Sequence, residues 1–189
     1  MADVSGDIRL AIFGVATLVL AYVSRASLFR PRSHGFYRFF VWVAILALIL
    51  MNAPVWFRNP LSWHQVISWI LLVVGLVPLG FGVHALRTRG KPDVSARQEP
   101  ELLAFERTTK LVREGIFHFI RHPMYCSLLL LAWGVCLKAP SAAGGTLATF
   151  ATAGLLRMAA IDEAECLSAF GPEYRQYMAQ TKRFIPYVF

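Results

Sequence analysis

The sequence predicts an all-α, polytopic membrane protein, and its composition, its long apolar blocks and the distribution of its basic residues indicate that class. Of the 189 residues, 57% are hydrophobic and 16% are charged, and the mean hydropathy is +0.52. Soluble domains contain about 45–50% apolar and about 25% charged residues, so a soluble globule, a disordered chain and a coiled coil are all disfavoured. We expect a single integral-membrane domain over residues 1–189.

Five apolar blocks predict about five transmembrane helices. Three N-terminal blocks, 8–28, 38–57 and 66–86, each have about 20 residues, enough to cross a hydrocarbon core of about 30 Å. The first follows Asp3 and Asp7 instead of a basic segment, so we expect a retained span and not a signal peptide. The last two blocks, 123–139 and 144–158, are shorter and flank a predicted tight turn. A close antiparallel hairpin over residues 122–158 is therefore expected.

The basic residues predict which side of the membrane each connection occupies. With five spans, all but three of the 19 Lys and Arg residues fall on one side, the exceptions being Arg9, Arg58 and Lys138. The positive-inside rule places that basic side in the cytosol, with the N-terminus outside. We therefore expect a multi-pass protein (of the inner, cytoplasmic membrane in a bacterium) whose two long polar segments, 87–121 and 157–189, are both cytosolic.

Those polar segments contain predicted loops and short helices. Residues 87–100 are rich in Gly, Pro and charged residues and predict a loop, and residues 101–113 predict a short interfacial helix with an uneven apolar face. After Met158, an interfacial helix pair is expected, interrupted at Gly171-Pro172 because Gly ends one helix and Pro begins the next. The apolar tail, 184–189, is expected to fold back on the protein or the bilayer.

The densest group of chemically active side chains surrounds the start of the fourth block. His122 precedes Pro123, which suits the first position of a helix, so the N–H groups of the first turn favour a carboxylate or phosphate nearby. Arg121 and His122 add hydrogen-bond donors, and Tyr125 adds a hydroxyl one turn later. The alternative is a basic helix end that anchors the protein at the lipid headgroups.

A second group, rich in acids, follows the fifth block. It contains Arg157, Asp162, Glu163 and Glu165, and the predicted hairpin brings it close to the first group. The two groups could simply form ion pairs, which contribute little at an interface. Alternatively, they could enclose a zwitterion, with donors for its carboxylate, acids for its ammonium, and aromatic faces for a sulfonium or quaternary cation.

Other site classes find little support in the sequence. The three Cys residues have no disulfide or zinc spacing, no metal site is predicted, and no nucleic-acid-binding pattern occurs. Two axial haem ligands, His84 with His118 or His122, remain an alternative. A transport subunit is a further alternative, although the predicted spans carry few ionisable residues near their centres.

Several short motifs in the C-terminal half resemble a known family. They are KLVREGIF at 110–117, RHPMY at 121–125, Asp162-Glu163, and FGPEYRQY at 170–177. Together they look like the C-terminal half of the integral-membrane methyltransferases related to isoprenylcysteine carboxyl methyltransferase and phospholipid N-methyltransferase. The resemblance covers residues 110–186, under half of the chain, and the N-terminal spans match only in being spans.

The resemblance implies S-adenosylmethionine bound at the cytosolic mouth of the helices, between a cofactor loop over 87–121 and a C-terminal lid over 159–189. It implies contacts to this methyl donor from Thr109, Lys110, Leu111, Val112, Gly115, Phe117, Arg121, His122, Pro123, Met124, Tyr125, Asp162 and Glu163. Relatives usually have Tyr at Phe117 and Glu-Glu at Asp162-Glu163, so which acid contacts the donor stays open. Arg157 is the nearest candidate for a substrate-contacting Arg.

The expected function is therefore transfer of a methyl group to a lipid or other apolar acceptor. An amine or thiol acceptor needs a proton acceptor, for which Glu163 is the candidate, whereas a carboxylate acceptor needs none and could be oriented by Arg157. A phospholipid amine and an isoprenylcysteine-like carboxylate both remain open as acceptors. The alternative function is a non-enzymatic membrane subunit that binds haem or transports a solute.

Overall fold

The structure, a computed structural model, describes residues 4–93 and 106–187, and that part of the chain folds into α-helices joined by short turns. The helices are α1 (Val4–Val23), α2 (Arg25–Leu28), α3 (His34–Asn52), α4 (Trp63–Arg89), α5 (Pro123–Cys136), α6 (Ala142–Phe170) and α7 (Pro172–Gln180). No strand occurs among these described residues, so the predicted all-α class is confirmed.

Four of these helices are long and apolar enough to cross a membrane. They are α1, α3, α4 and α6, and the candidate spans cover Ser5–Val23, His34–Val55, Trp63–Arg89 and Ala142–Phe170. The fifth predicted span corresponds to α5, an apolar helix of 14 residues. At about 1.5 Å per residue α5 is roughly 21 Å long and α6 roughly 43 Å. The start of α5 therefore lies about two thirds of the way along α6, beside Asp162 and Glu163, and not beside its end.

Four of the apolar helices pack as two close pairs, α3 with α6 and α4 with α5. Glycines allow both pairs to approach closely. A Cβ atom added at Gly154 would lie 2.5 Å from Cγ2 of Val41, and one added at Gly82 would lie 3.0 Å from Cγ of Pro123. Small residues at such contacts let membrane helices gain van der Waals packing where the lipid supplies no hydrophobic driving force. Helix α1 contacts mainly α3 and leaves most of its apolar surface exposed.

Two sequence-based predictions of helix position are wrong. The predicted fifth span and the segment after it form one continuous helix, α6, because no Gly or Pro interrupts residues 155–170. The helix ends at Gly171, whose φ of +56° favours glycine, as the Gly-Pro pair predicts. Residues 107–113, predicted as part of an interfacial helix, are not helical, because their backbone pairs with the end of α4: the N–H of Thr109 donates to the carbonyl of Gly90 at 3.0 Å. The rest of that predicted helix, 101–105, lies outside the described residues.

The antiparallel order of the helices gives the bundle two distinct ends. Helices α4 and α6 end, and α3 and α5 begin, at what we call the site end, where the connections carry most of the basic residues. The C-terminal tail, which here means residues 181–187, also returns to this end. The N–H of Arg121 donates to the carbonyl of Lys182 at 2.8 Å, and Phe184 is buried. The tail thus folds back on the protein as far as Phe184, whereas residues 185–187 are exposed.

Candidate functional site

A cavity of about 100 Å³ lies at the site end, between the helix ends and α7. Nine of the residues that the sequence predicted as donor contacts line it: Leu111, Val112, Phe117, Arg121, His122, Pro123, Met124, Tyr125 and Asp162. Eight further residues complete its wall: His34, Leu86, Glu106, Thr108, Cys166, Phe170, Tyr174 and Tyr177. The cavity therefore brings together α3, α4, α5, α6, α7 and the segment before α5.

His122 sits where the sequence places it, at the start of α5. It is the residue before the helix, with φ −122° and ψ 62°, and Pro123 occupies the first helical position. A residue before proline is driven from helical geometry, which explains why the helix begins here. The His122 N–H donates to the carbonyl of Arg183 at 3.1 Å, so the C-terminal tail holds the backbone at this point.

The His122 ring is enclosed between an aromatic ring and two carboxylates. It stacks on Tyr125 with ring centroids 5.2 Å apart and an interplanar angle of 4°. Nδ1 lies 3.5 Å from Oδ2 of Asp162, and Nε2 lies 3.3 Å from Oε1 of Glu163. Burial alone would lower the pKa of His122, but the hydrogen bonds and negative charges of the two acids outweigh it, so this pKa is raised.

The two neighbouring acids of α6 have different environments. Asp162 borders the cavity and accepts a hydrogen bond from the Tyr125 hydroxyl at 3.2 Å. Glu163 does not border it: its carboxylate accepts from Nε of Arg121 at 2.9 Å and from Nη2 of Arg183 at 2.7 Å. Only 4% of the Glu163 side chain is exposed. Asp162 therefore faces the space that a ligand would occupy, whereas Glu163 ties the tail and residues 119–122 to α6.

Two polar pairs from α3 also reach this region, and the sequence analysis did not place their α3 members, His34 and Arg38, in the site. Nδ1 of His34 lies 2.6 Å from Oε2 of Glu165, and Nη1 of Arg38 donates to Oε2 of Glu106 at 3.2 Å. His34 and Arg38 are spaced four residues apart on one helix face and are both buried. Ionisable residues that begin an apolar span are a functional signal in their own right, and this signal was present in the sequence.

The opposite side of the cavity is aromatic. Phe117, Phe170, Tyr174 and Tyr177 line it, and the Tyr177 hydroxyl donates to the carbonyl of Phe117 at 2.6 Å. Burial raises the pKa of Tyr174 and of Tyr177, so both hydroxyls stay neutral at physiological pH. A carboxylate facing several ring faces favours an organic cation.

Some residues predicted for the site lie elsewhere. Thr109, Lys110 and Gly115 are exposed, and Thr108 lines the cavity in their place. Arg157 borders a separate apolar cleft between α3 and α6, where its guanidinium lies 5.9 Å from the ring centre of Tyr37. The segment before α5 does contribute to the cavity, as predicted. Its backbone pairs with Gly90 at the end of α4, and this pairing decides which of its side chains point into the cavity.

The side chains at the site also bear on metal and haem binding. One ligand atom from each of His34, Asp162 and Glu165 lies within 4.8 Å of the others, which is close enough to hold a metal ion. His34 and Glu165 already form a short hydrogen bond, which accounts for their proximity without one. His84 and His118 are exposed, whereas both ring nitrogens of His122 face carboxylates. This arrangement does not favour the alternative of axial haem ligation.

Comparison with known proteins supports one family. Residues 101–170 match the family model for phospholipid methyltransferase, somewhat more than a third of the chain. No curated protein and no solved structure gave a significant match. The matched segment contributes most of the cavity wall, including His122, Tyr125 and Asp162. Residues 101–170 are thus similar to the phospholipid methyltransferase family, which confirms the predicted resemblance and supports a membrane methyltransferase in the broad sense.

Proposed function

We propose that the protein transfers a methyl group from S-adenosylmethionine to an amine-bearing membrane lipid, within a single domain. One observation carries the proposal: in the segment that matches the methyltransferase family, the Asp162 carboxylate faces a cavity lined by aromatic rings. That surface suits a sulfonium or ammonium cation. A zwitterionic donor also needs partners for its carboxylate, and the Arg121 and His122 side chains border the same cavity.

The residues fit the chemistry of the donor, and the volume indicates that the cavity opens to receive it. Sites for drug-sized ligands have volumes of about 300–1,000 Å³, several times the present cavity of about 100 Å³. The wall formed by α7 is the part best suited to move, because it is only nine residues long and joins α6 through Gly171. We infer that α7 and the tail act as a lid.

In this mechanism the chain's own residues position and desolvate the reactants. S-adenosylmethionine supplies an activated methyl group, so the protein needs mainly alignment and a dry site. Tyr125 orients Asp162 through its hydroxyl, and His122 supports both side chains by stacking and charge. Asp162, not the predicted Glu163, is then the proton acceptor in our proposal, because both oxygens of Glu163 already accept hydrogen bonds from guanidinium groups.

An isoprenylcysteine-like carboxylate is a second candidate acceptor, favoured by the cleft at Arg157. This cleft is lined by Phe36, Tyr37, Phe40, Val41, Phe150, Ala153, Gly154 and Arg157. An apolar chain with a negative group at one end would fit rings along the cleft and a guanidinium at its end. Arg157 would then contact substrate, as the sequence predicted.

The orientation in the membrane is also part of the proposal. Basic residues cluster at the site end. They are Arg30 and Arg32 before α3, Arg87 and Arg89 at the end of α4, and Lys182 and Arg183 after α7. The positive-inside rule places this end in the cytosol, where a water-soluble donor is available, while a lipid acceptor enters sideways from the bilayer.

The test is a methyl-transfer assay with radiolabelled S-adenosylmethionine in liposomes of defined composition. We expect label in lipids with a primary or secondary amine headgroup and none in lipids without an amine. Label in a prenylated cysteine carboxylate instead would select the second acceptor. If calorimetry detects no donor binding and no lipid is labelled, the proposed function is disproved.

A further inference from the structure

A hydrogen-bonded pair of side chains that has no role in the proposed reaction has one member at the cavity and the other at a second hollow. His34 borders the main cavity. Glu165 borders the second hollow, together with Arg30, Pro31, Arg32 and Ser33. Nδ1 of His34 and Oε2 of Glu165 are 2.6 Å apart, so this hydrogen bond joins a residue of the cavity to a residue of the second hollow.

Asp162 lies beside this pair on the same helix. One ligand atom of Asp162 lies within 4.8 Å of the ligand atoms of His34 and Glu165. That distance can be bridged by a single water molecule or closed by a small movement of the Asp162 side chain. His34 is 1% exposed and the Glu165 side chain is 30% exposed, so the route runs from a buried residue to one that solvent reaches.

We propose that His34 and Glu165 form the exit path for the proton released by methyl transfer, from Asp162 through the His34 ring to Glu165 and solvent. The proposal rests on the proposed function and on an acceptor that releases a proton. In the reaction the amine nitrogen bonds to the methyl carbon, and the carbon–sulfur bond breaks with its electron pair staying on sulfur. The nitrogen then carries one proton in excess, and Asp162 accepts it.

The other histidine beside Asp162 leads to a closed route. His122 connects Asp162 to Glu163, but only 4% of the Glu163 side chain is exposed and Arg121 and Arg183 occupy its oxygens. Glu165 is partly exposed, its carboxylate contacts His34, and an imidazole can accept a proton on one nitrogen while it gives one from the other.

Within residues 4–93 and 106–187, the charged groups that act on His34 come from α6 and from the segment before α5. From α6, Asp162 and Glu165 face His34, and the carboxylate of Glu106 adds negative charge from the segment before α5. Glu106 is itself held by Arg38 on α3. Arg30 and Arg32 border the hollow together with Glu165.

The decisive variant is Glu165→Gln, which keeps the shape and a hydrogen-bond acceptor but cannot carry the proton. We expect its kcat in the liposome assay to fall at least about tenfold at neutral pH, as general-base residues usually contribute more than that. The remaining activity should rise with pH and be rescued by small diffusible buffers such as imidazole. Donor affinity measured by calorimetry should equal that of the wild type, because Glu165 does not border the donor cavity.

The matched control is Glu114→Gln, which removes an acid at the site end whose side chain is 77% exposed and paired with Arg89. It should keep wild-type kcat and show no buffer effect. A second readout, which does not depend on activity, is the NMR signal of the His34 ring nitrogens. These signals are assigned by their loss in His34→Gln. They should shift in Glu165→Gln and stay in place in Glu114→Gln.

The outcomes separate the relay from the proposed function. A wild-type protein that neither binds donor nor transfers methyl groups disproves the function and the relay with it. An active wild type with wild-type kcat and no buffer effect in Glu165→Gln overturns the relay alone. Loss of wild-type activity on treatment with a chelator, restored by added metal, would also overturn it and make His34, Asp162 and Glu165 a metal centre.

Discussion

Arg183 donates three hydrogen bonds to the Glu163 carboxylate, two from Nε at 3.1 Å and one from Nη2 at 2.7 Å. This contact joins the C-terminal tail to the last third of α6. The Arg121 guanidinium shares the same carboxylate and also donates to the carbonyls of Met178 and Thr181. One acid therefore organises three segments around the cavity without facing it.

The first prediction concerns that acid. Glu163→Ala leaves Arg121 buried without its carboxylate, so we expect a loss of about 3–5 kcal/mol in the free energy of unfolding, measured in mixed micelles. The tail should also become more susceptible to protease. Glu173→Ala, which removes an exposed pair with Arg113, should cost less than about 1 kcal/mol. Equal costs for the two variants would contradict the structural role of Glu163.

The second prediction concerns Asp162 as the group that faces the donor. Asp162→Asn keeps the size of the side chain and removes its charge, so donor affinity by calorimetry should fall about ten- to hundredfold, as for a hydrogen bond to a charged group of about 1.5–3 kcal/mol. Glu114→Gln, which changes an exposed acid at the same end, should bind like the wild type. Unchanged affinity in Asp162→Asn would move the donor site elsewhere.

The third prediction is a pH dependence of stability that comes from His122. Its pKa is raised, so the protonated ring adds stability that is complete below the unfolded value of about 6.5 and is lost as pH rises through the higher folded-state pKa. The difference in Tm between the wild type and His122→Asn should therefore narrow as pH rises above about 6.5. A gap that is constant with pH would mean that folding does not shift the pKa of His122.

The fourth prediction tests the close approach of α3 and α6. Gly154→Ala places a methyl group 2.5 Å from Cγ2 of Val41, so the helices must separate at a cost of about 1–3 kcal/mol. Gly145→Ala on the same helix meets nothing within 4 Å and should not destabilise the protein. Both are measured by unfolding in mixed micelles. An equal effect of the two substitutions would show that helix propensity, and not packing, governs these positions.

The fifth prediction concerns the end of the bundle opposite the cavity. The Lys138 ammonium is buried, lies 3.5 Å from the ring centre of Trp69 and donates to Oε1 of Gln65 at 3.0 Å. Lys138→Met leaves that buried oxygen without its donor and should cost about 1–3 kcal/mol. Arg58→Met, at an exposed cation of the same end, should be close to neutral. Donor affinity should be unchanged in both variants, because Lys138 lies far from the cavity.

The sequence alone determined the class of the protein, its apolar helices and the two segments that meet at the site. Hydrophobic block length and Gly-Pro punctuation are local properties, so they could be recognised without a structure. The link between RHPMY and the acids of α6 also followed, because a short turn forces the two helices side by side. The continuous α6 was missed because polar residues after Met158 ended the apolar block without ending the helix.

Only the tertiary structure decided which side chains share the cavity. Asp162 and Glu163 are adjacent acids and look equivalent in the sequence. On a helix their side chains point about 100° apart. The packing of the tail alone assigns Glu163 to Arg183. His34 lies more than 120 residues from Glu165 along the chain, and their contact depends on the packing of α3 against α6. Such long-range pairs arise from the arrangement of whole helices, which no local pattern encodes.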